Sequence, residues 1–229
     1  MALHALGLLK STLLDYPGEV AATLFTSGCN LSCPYCHNPE LVSGPVPDDF
    51  LTREQVMAYL RKRSCVLGAV CITGGEPTLH ADLPELVEEI HELGLKVKVD
   101  TNGTLPERVA ELDADYFAMD LKASPAHYDR VGMPDAGDRL RRSMDIIRAS
   151  GADYEFRTTV VPGIVFDEDV DEICESLAPG DTYTLAQYRP LITLDPAFES
   201  VGPYPIATLE AMRDRCAARG VDVHVRAGK

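Results

Sequence analysis

Three cysteines stand within eight residues, Cys29, Cys33 and Cys36 in GCNLSCPYC, directly after the apolar run VAATLFT at 20–26. A run this short, bounded by turn residues, reads as a buried strand. The chain must therefore carry a tight, thiol-bearing loop at a strand end. Gly28 before the first cysteine and Pro34 after the second suit such a turn. Three thiolates this close can hold three corners of a [4Fe–4S] cube and leave its fourth iron open. Structural zinc is the competing occupant, but it asks for a fourth ligand. His37 lies immediately beside Cys36 and would strain that geometry. Cys65, Cys71, Cys174 and Cys216 stand singly, and each reads as a small buried hydrophobe. Spacing alone leans to the cluster and leaves zinc open.

Beyond the loop the pattern is strand, loop, helix, repeated. Thr52 with Gln55 forms a capping-box signature for a helix over 53–63. Strands are expected at 69–73, 95–99, 115–120, 154–161 and 182–187, with a short one at 221–225. Helices are expected from a cap at Asp82 to a stop at Gly94, and near 137–149, 168–177 and 205–219. About six βα units fit either a doubly wound sheet or an incomplete parallel barrel. Charged residues alternate inside two strands, with Lys96 and Lys98 in one and Glu155 and Arg157 in the other. A sheet covered on both faces is almost wholly apolar, whereas a barrel with a polar lumen houses such charges. The α/β fold class read here is an incomplete, TIM-like (β/α)6 parallel barrel. It forms one domain over 1–229, with a short N-terminal extension at 1–19 and a Pro-rich, lid-like segment at 189–205.

The strand ends carry the cysteine loop, GGEP at 74–77, DTNG at 100–103, DLK at 120–122 and Arg157. In a parallel βα fold these all meet at one end. Gly74 and Gly75 let the backbone come close to a ligand, and Glu76 could receive an ammonium. Asp100, Asn102 and Asp120 offer acceptors, while Lys122 and Arg157 can meet a carboxylate. Singly, each is more often a turn or a surface pair. Together they describe a site for a zwitterion with a sugar attached.

A net charge of −15, from 21 basic and 36 acidic side chains, argues against nucleic acid or an anionic membrane as the main partner. No apolar run reaches membrane-spanning length and no secretory signal is evident, so a reducing cytoplasm is the expected compartment.

With these residues in view, the chain resembles the radical S-adenosylmethionine superfamily. The loop has that family's CxxxCxxC spacing, with Tyr35 as the aromatic residue before the third cysteine. The stretch from GLLKSTLLDYPGEV through CHNPEL, together with MDLKA at 119–123, looks like the activases of glycyl radical enzymes, closest to those of anaerobic ribonucleoside-triphosphate reductase. The resemblance implies one [4Fe–4S] cluster on Cys29, Cys33 and Cys36, with S-adenosylmethionine on the remaining iron. It also places Gly74, Gly75 and Glu76 at the methionine amino group, Asp120 and Lys122 near the methionyl end, and Arg157 lining the pocket. Tyr35 would approach the adenine, and Asp100 and Asn102 would lie near the cofactor or the target glycine. The activity implied is reductive cleavage to a 5′-deoxyadenosyl radical that abstracts a glycine hydrogen from the partner reductase, fed by a flavodoxin- or ferredoxin-like donor. Residues 37–70 hold only Cys65, which implies a single cluster. Two other readings compete. One is the same chemistry on a small molecule such as a purine-like precursor. The other is an iron–sulfur scaffold or electron carrier.

Overall fold

The computed structural model describes residues 3–227. Its framework is one nine-stranded sheet that curls into an incomplete barrel. In chain order the strands are β1 (Ala5–Thr12), β2 (Ala21–Thr26), β3 (Leu51–Thr52), β4 (Ala69–Gly74), β5 (Lys96–Thr101), β6 (Tyr116–Asp120), β7 (Asp153–Val160), β8 (Thr182–Gln187) and β9 (Asp222–Arg226). The spatial order is β3-β1-β2-β4-β5-β6-β7-β8-β9. From β2 onward along that order every pairing is parallel; β1 runs antiparallel to both β2 and β3.

The helices are α1 (Glu40–Ser43), α2 (Arg53–Arg63), α3 (Leu83–His91), α4 (Pro106–Val109), α5 (Gly137–Ala149), α6 (Asp167–Ser176) and α7 (Ile206–Ala217). The longer ones pack apolar stripes against the outward face of the sheet. Leu83, Leu86, Val87 and Ile90 of α3 and Leu140, Met144 and Ile147 of α5 are at most 2% exposed, as are Val97, Val99, Phe117 and Phe156 beneath them. Truncating one such side chain to Ala typically costs about 2–5 kcal/mol.

The expected alternation of charge holds in part. Lys98 and Glu155 are buried, Lys98 paired with Asp100 and Glu155 near Arg157, each along its own strand; Lys96 departs from the expectation, being exposed and paired with Glu19. The capping box of α2 is formed on both sides: Gln55 N–H donates to Thr52 Oγ1 at 3.3 Å, and Thr52 N–H to Gln55 Oε1 at 2.9 Å.

Several expectations need correction. Asp82 occupies the N-cap position of α3 but makes no capping hydrogen bond. Its carboxylate instead accepts the Leu3 N–H at 2.9 Å and pairs with Arg53 at 3.2 Å, a stronger, charge-assisted use of the same oxygens. Strand β1 occupies much of the stretch read as an N-terminal extension. Its LGLL core lacks strict alternation, and the partner strand β2 supplies the order. Cys174 and Cys216, read as separate hydrophobes, form a disulfide between α6 and α7.

Candidate functional site

The cysteine loop is built on the end of β2 and fastened to the loop after β4 by main-chain bonds. Gly75 N–H donates to the Thr26 carbonyl and Glu76 N–H to the Gly28 carbonyl, both at 2.8 Å. This contact explains the two glycines. A Cβ on Gly75 would lie 2.1 Å from the Gly28 oxygen, and Gly74 has φ +110° with Thr26 backbone 2.5 Å from where a Cβ would stand. His80 adds a third tie, with Nε2 3.0 Å from the Ser27 carbonyl.

A cavity of about 210 Å³ opens at this end of the barrel. Cys29, Cys33, Cys36, Tyr35, Gly74, Gly75, Glu76, Asp100, Asn102, Asp120 and Lys122 all border it. Of the residues singled out from the sequence, Arg157 alone does not. The pairing of β6 with β7 sets Arg157 opposite Asp120, and two carboxylates draw it into the lumen beneath the cavity.

Glu76 carries a structural task at the cavity wall. It is 1% exposed, and its carboxylate accepts from this chain's own donors. Oε1 accepts the Thr78 N–H at 3.1 Å, the Thr78 hydroxyl at 2.5 Å and the Thr101 hydroxyl at 2.7 Å; Oε2 accepts the Asn102 N–H at 2.6 Å. Oε1 is fully used, while Oε2 has one donor and borders the cavity. Burial pushes the Glu76 carboxyl above its ordinary range, against the pull of those donors. Asn102 is committed as well. Its Nδ2 donates to Asn30 Oδ1 at 2.9 Å, and its Oδ1 accepts from the Thr104 hydroxyl and N–H. Asn30 and Thr101 went unremarked in the sequence, although Asn30 sits inside the cysteine loop.

Lys122 is the cationic group on the cavity wall. Its Nζ lies 2.8 Å from Asp120 Oδ2, and Asp120 Oδ1 accepts from Arg157 Nε at 2.7 Å. Burial works against charge at all three positions, but the neighbours outweigh it. Arg157 and Lys122 hold the Asp120 carboxyl well below the usual range, and Asp120 holds Lys122 above its own. The site thus offers a permanent ammonium beside three thiols.

Burial pushes the Cys29 thiol up and the Cys33 thiol to about 12. Both are protonated until a cation with greater pull than Lys122 displaces the protons, as thiophilic metals do. Cys29, Cys33 and Cys36 border one cavity, and three thiolates with no fourth protein ligand named beside them are the donor set of a cluster with one open iron.

The 189–205 segment lies across the same end. Leu194 N–H donates to the Cys36 carbonyl at 3.0 Å and Asp195 N–H to the Pro34 carbonyl at 2.8 Å. His37 Nε2 is 2.8 Å from the Arg189 carbonyl, and its ring stacks on Tyr188.

The sequence profile described as the Radical SAM superfamily matches residues 23–177. A protein of Methanocaldococcus jannaschii, provisionally named a glycyl-radical enzyme activating enzyme, is 32% identical over 87% of this chain and 85% of its own length. A 7-carboxy-7-deazaguanine synthase of Methanopyrus kandleri is 34% identical over 58% of this chain and 60% of its own. Among solved structures, SuiB of Streptococcus suis bound to S-adenosylmethionine superposes with a TM-score of 0.67 at 18% identity, over 89% of this chain and 49% of that one. At that identity the likeness speaks to the fold alone. The chain thus spans most of the first relative but less than two thirds of the other two. No helix among the described residues is long and apolar enough to cross a membrane.

Proposed function

The chain belongs to the radical SAM superfamily, and we propose that it carries one [4Fe–4S] cluster on Cys29, Cys33 and Cys36 with S-adenosylmethionine in the adjoining cavity. The observation that carries this reading is the placement of three thiols and the Lys122 ammonium on one cavity wall. When bound, the pair supplies one-electron cleavage of the sulfonium, giving methionine and a 5′-deoxyadenosyl radical. Lys122 would receive the methionyl carboxylate. The Gly74–Gly75 main chain admits the amino end, and Tyr35 borders the same space. Glu76, Asn102 and Asn30 hold the wall. Asp120 and Arg157 fix the direction of Lys122, and Asp100 completes the polar floor.

For the hydrogen donor, the reading best supported is a small polar molecule. The segment pinned across the cysteine loop narrows access, the floor beneath is charged, and a relative is a 7-carboxy-7-deazaguanine synthase. A second reading is a glycine of a partner protein, with anaerobic ribonucleoside-triphosphate reductase as the prime candidate. The relative matching 87% of this chain favours it. In both, a flavodoxin- or ferredoxin-like protein would supply the electron.

The test is anaerobic reconstitution and reduction with S-adenosylmethionine. Formation of 5′-deoxyadenosine is expected, and its absence would return the chain to the scaffold or electron-carrier reading. Electron paramagnetic resonance with the reductase added separates the substrate classes: a glycyl doublet on the reductase selects the second reading and overturns the first.

A further inference from the structure

Beneath the cavity the lumen holds a chain of alternating charges in which Lys98 has no role assigned above. It begins at Lys98, whose side chain is 4% exposed. Lys98 Nζ lies 2.5 Å from Asp100 Oδ1, 3.8 Å from Cys71 Sγ and 5.9 Å from the Tyr116 ring centre. The other oxygen of Asp100 meets Arg157 at 3.3 Å. Arg157 reaches Asp120 at 2.7 Å, and Asp120 reaches Lys122 at 2.8 Å. Glu155 flanks Arg157 at 3.9 Å, and Arg226 reaches Glu155 from the exposed end of β9 at 3.6 Å. Three cations (Lys98, Arg157 and Lys122) thus face three carboxylates (Asp100, Asp120 and Glu155) inside the barrel.

We propose that Lys98 is a positioning residue for the cofactor pocket, holding Asp100 so that Arg157 and Asp120 present the Lys122 ammonium to the cavity. The reasoning follows the oxygens. With Lys98 on one oxygen of Asp100, the guanidinium has the other, and its Nε is free for Asp120. Without Lys98, Asp100 has an uncompensated buried oxygen and takes the guanidinium in the bidentate manner that Arg and carboxylates favour. Asp120 then loses its second partner and draws Lys122 inward. The strand explains why a lysine serves. Position 98 is on the lumen face of β5, two residues below Asp100. A four-carbon stem with a compact ammonium fits between Cys71 and Tyr116, where a guanidinium would crowd both.

This inference rests on the S-adenosylmethionine reading above, and its test separates the two. Binding is measured calorimetrically on anaerobically reconstituted protein, with S-adenosylhomocysteine and with 5′-methylthioadenosine, which lacks the carboxylate and amine. The wild-type protein should prefer the former; no preference, or no binding, overturns the cofactor reading and this inference with it. Lys98→Met should weaken S-adenosylhomocysteine roughly tenfold or more and leave 5′-methylthioadenosine within about twofold. Equal weakening of both ligands, or no change in either, overturns the positioning role while the cofactor reading stands. In an Asp100→Asn background, which keeps the lumen electrically balanced when Lys98→Met is added and so protects the fold, the Lys98 change should cost nothing further. A loss there as large as in the wild type would show that Lys98 does not act through Asp100.

Discussion

The carboxylate of Glu76 accepts the main-chain N–H of Asn102 at 2.6 Å, and so ties the loop after β4 to the loop after β5. The glutamate that looks most like a ligand group is therefore a pin between two loops. Glu76→Ala leaves buried donors on Thr78, Thr101 and Asn102 without an acceptor, at about 1–3 kcal/mol for each group left unpaired. The expected result is a fall in thermal stability together with loss of iron. A variant that kept full stability and lost only cofactor affinity would restore Glu76 as a direct ligand.

Replacing any one of Cys29, Cys33 or Cys36 by Ala should reduce iron from about four per chain to a small fraction, read by iron and sulfide analysis after anaerobic reconstitution. Cys65, exposed and outside the cavity, serves as the control. Cys65→Ala should retain the full complement.

Asp181 supplies the clearest pH dependence. It is 2% exposed, and its carboxylate accepts from Arg148 at 2.6 Å, the Ala178 N–H at 2.7 Å and the Tyr154 hydroxyl at 2.9 Å. Burial pushes its carboxyl up, but these partners outweigh burial and hold it below the usual range. A depressed carboxylate contributes stability above its unfolded value, about 4, and loses it as pH falls through the folded value. Asp181→Asn should cost about 3 kcal/mol at neutral pH. It should also flatten the acid limb of a pH-dependent urea titration below about pH 4.

The Cys174–Cys216 bridge closes a separation of 42 residues between two helices far from the cavity in sequence. Cys216→Ser, or reduction, should lower stability by about 2–4 kcal/mol. Iron content and 5′-deoxyadenosine formation should be unaffected at temperatures below the melt. A loss of iron on reducing the bridge alone would tie α6 and α7 to the cluster loop and contradict that separation.

Much of this molecule is legible in the sequence because local signals and tertiary demands agree. The α2 capping box, the GGEP glycines and the charged alternation of β5 and β7 each act over a few residues and report the fold without help. Strand β1 was not legible, since an antiparallel strand at the start of a parallel sheet owes its order to a partner that the periodicity of residues 5–12 does not reveal. The Cys174–Cys216 pairing was hidden for a similar reason: helix periodicity buries each sulfur but says nothing about which buried sulfur it meets.

By itself the sequence determined the residue types at the strand ends: three thiols, two glycines and a set of charges that one end of a βα fold must bring together. The tertiary structure decided which of them remain available. The register of β6 against β7 set Arg157 against Asp120, and the close approach of two loops gave Glu76 donors from Thr78, Thr101 and Asn102. A carboxylate or guanidinium reads the same in sequence whether its bonding capacity is spent inside the protein or kept for a ligand. Only the distances across the lumen distinguish them, and they leave the Lys122 ammonium and the three cysteine sulfurs facing the cavity.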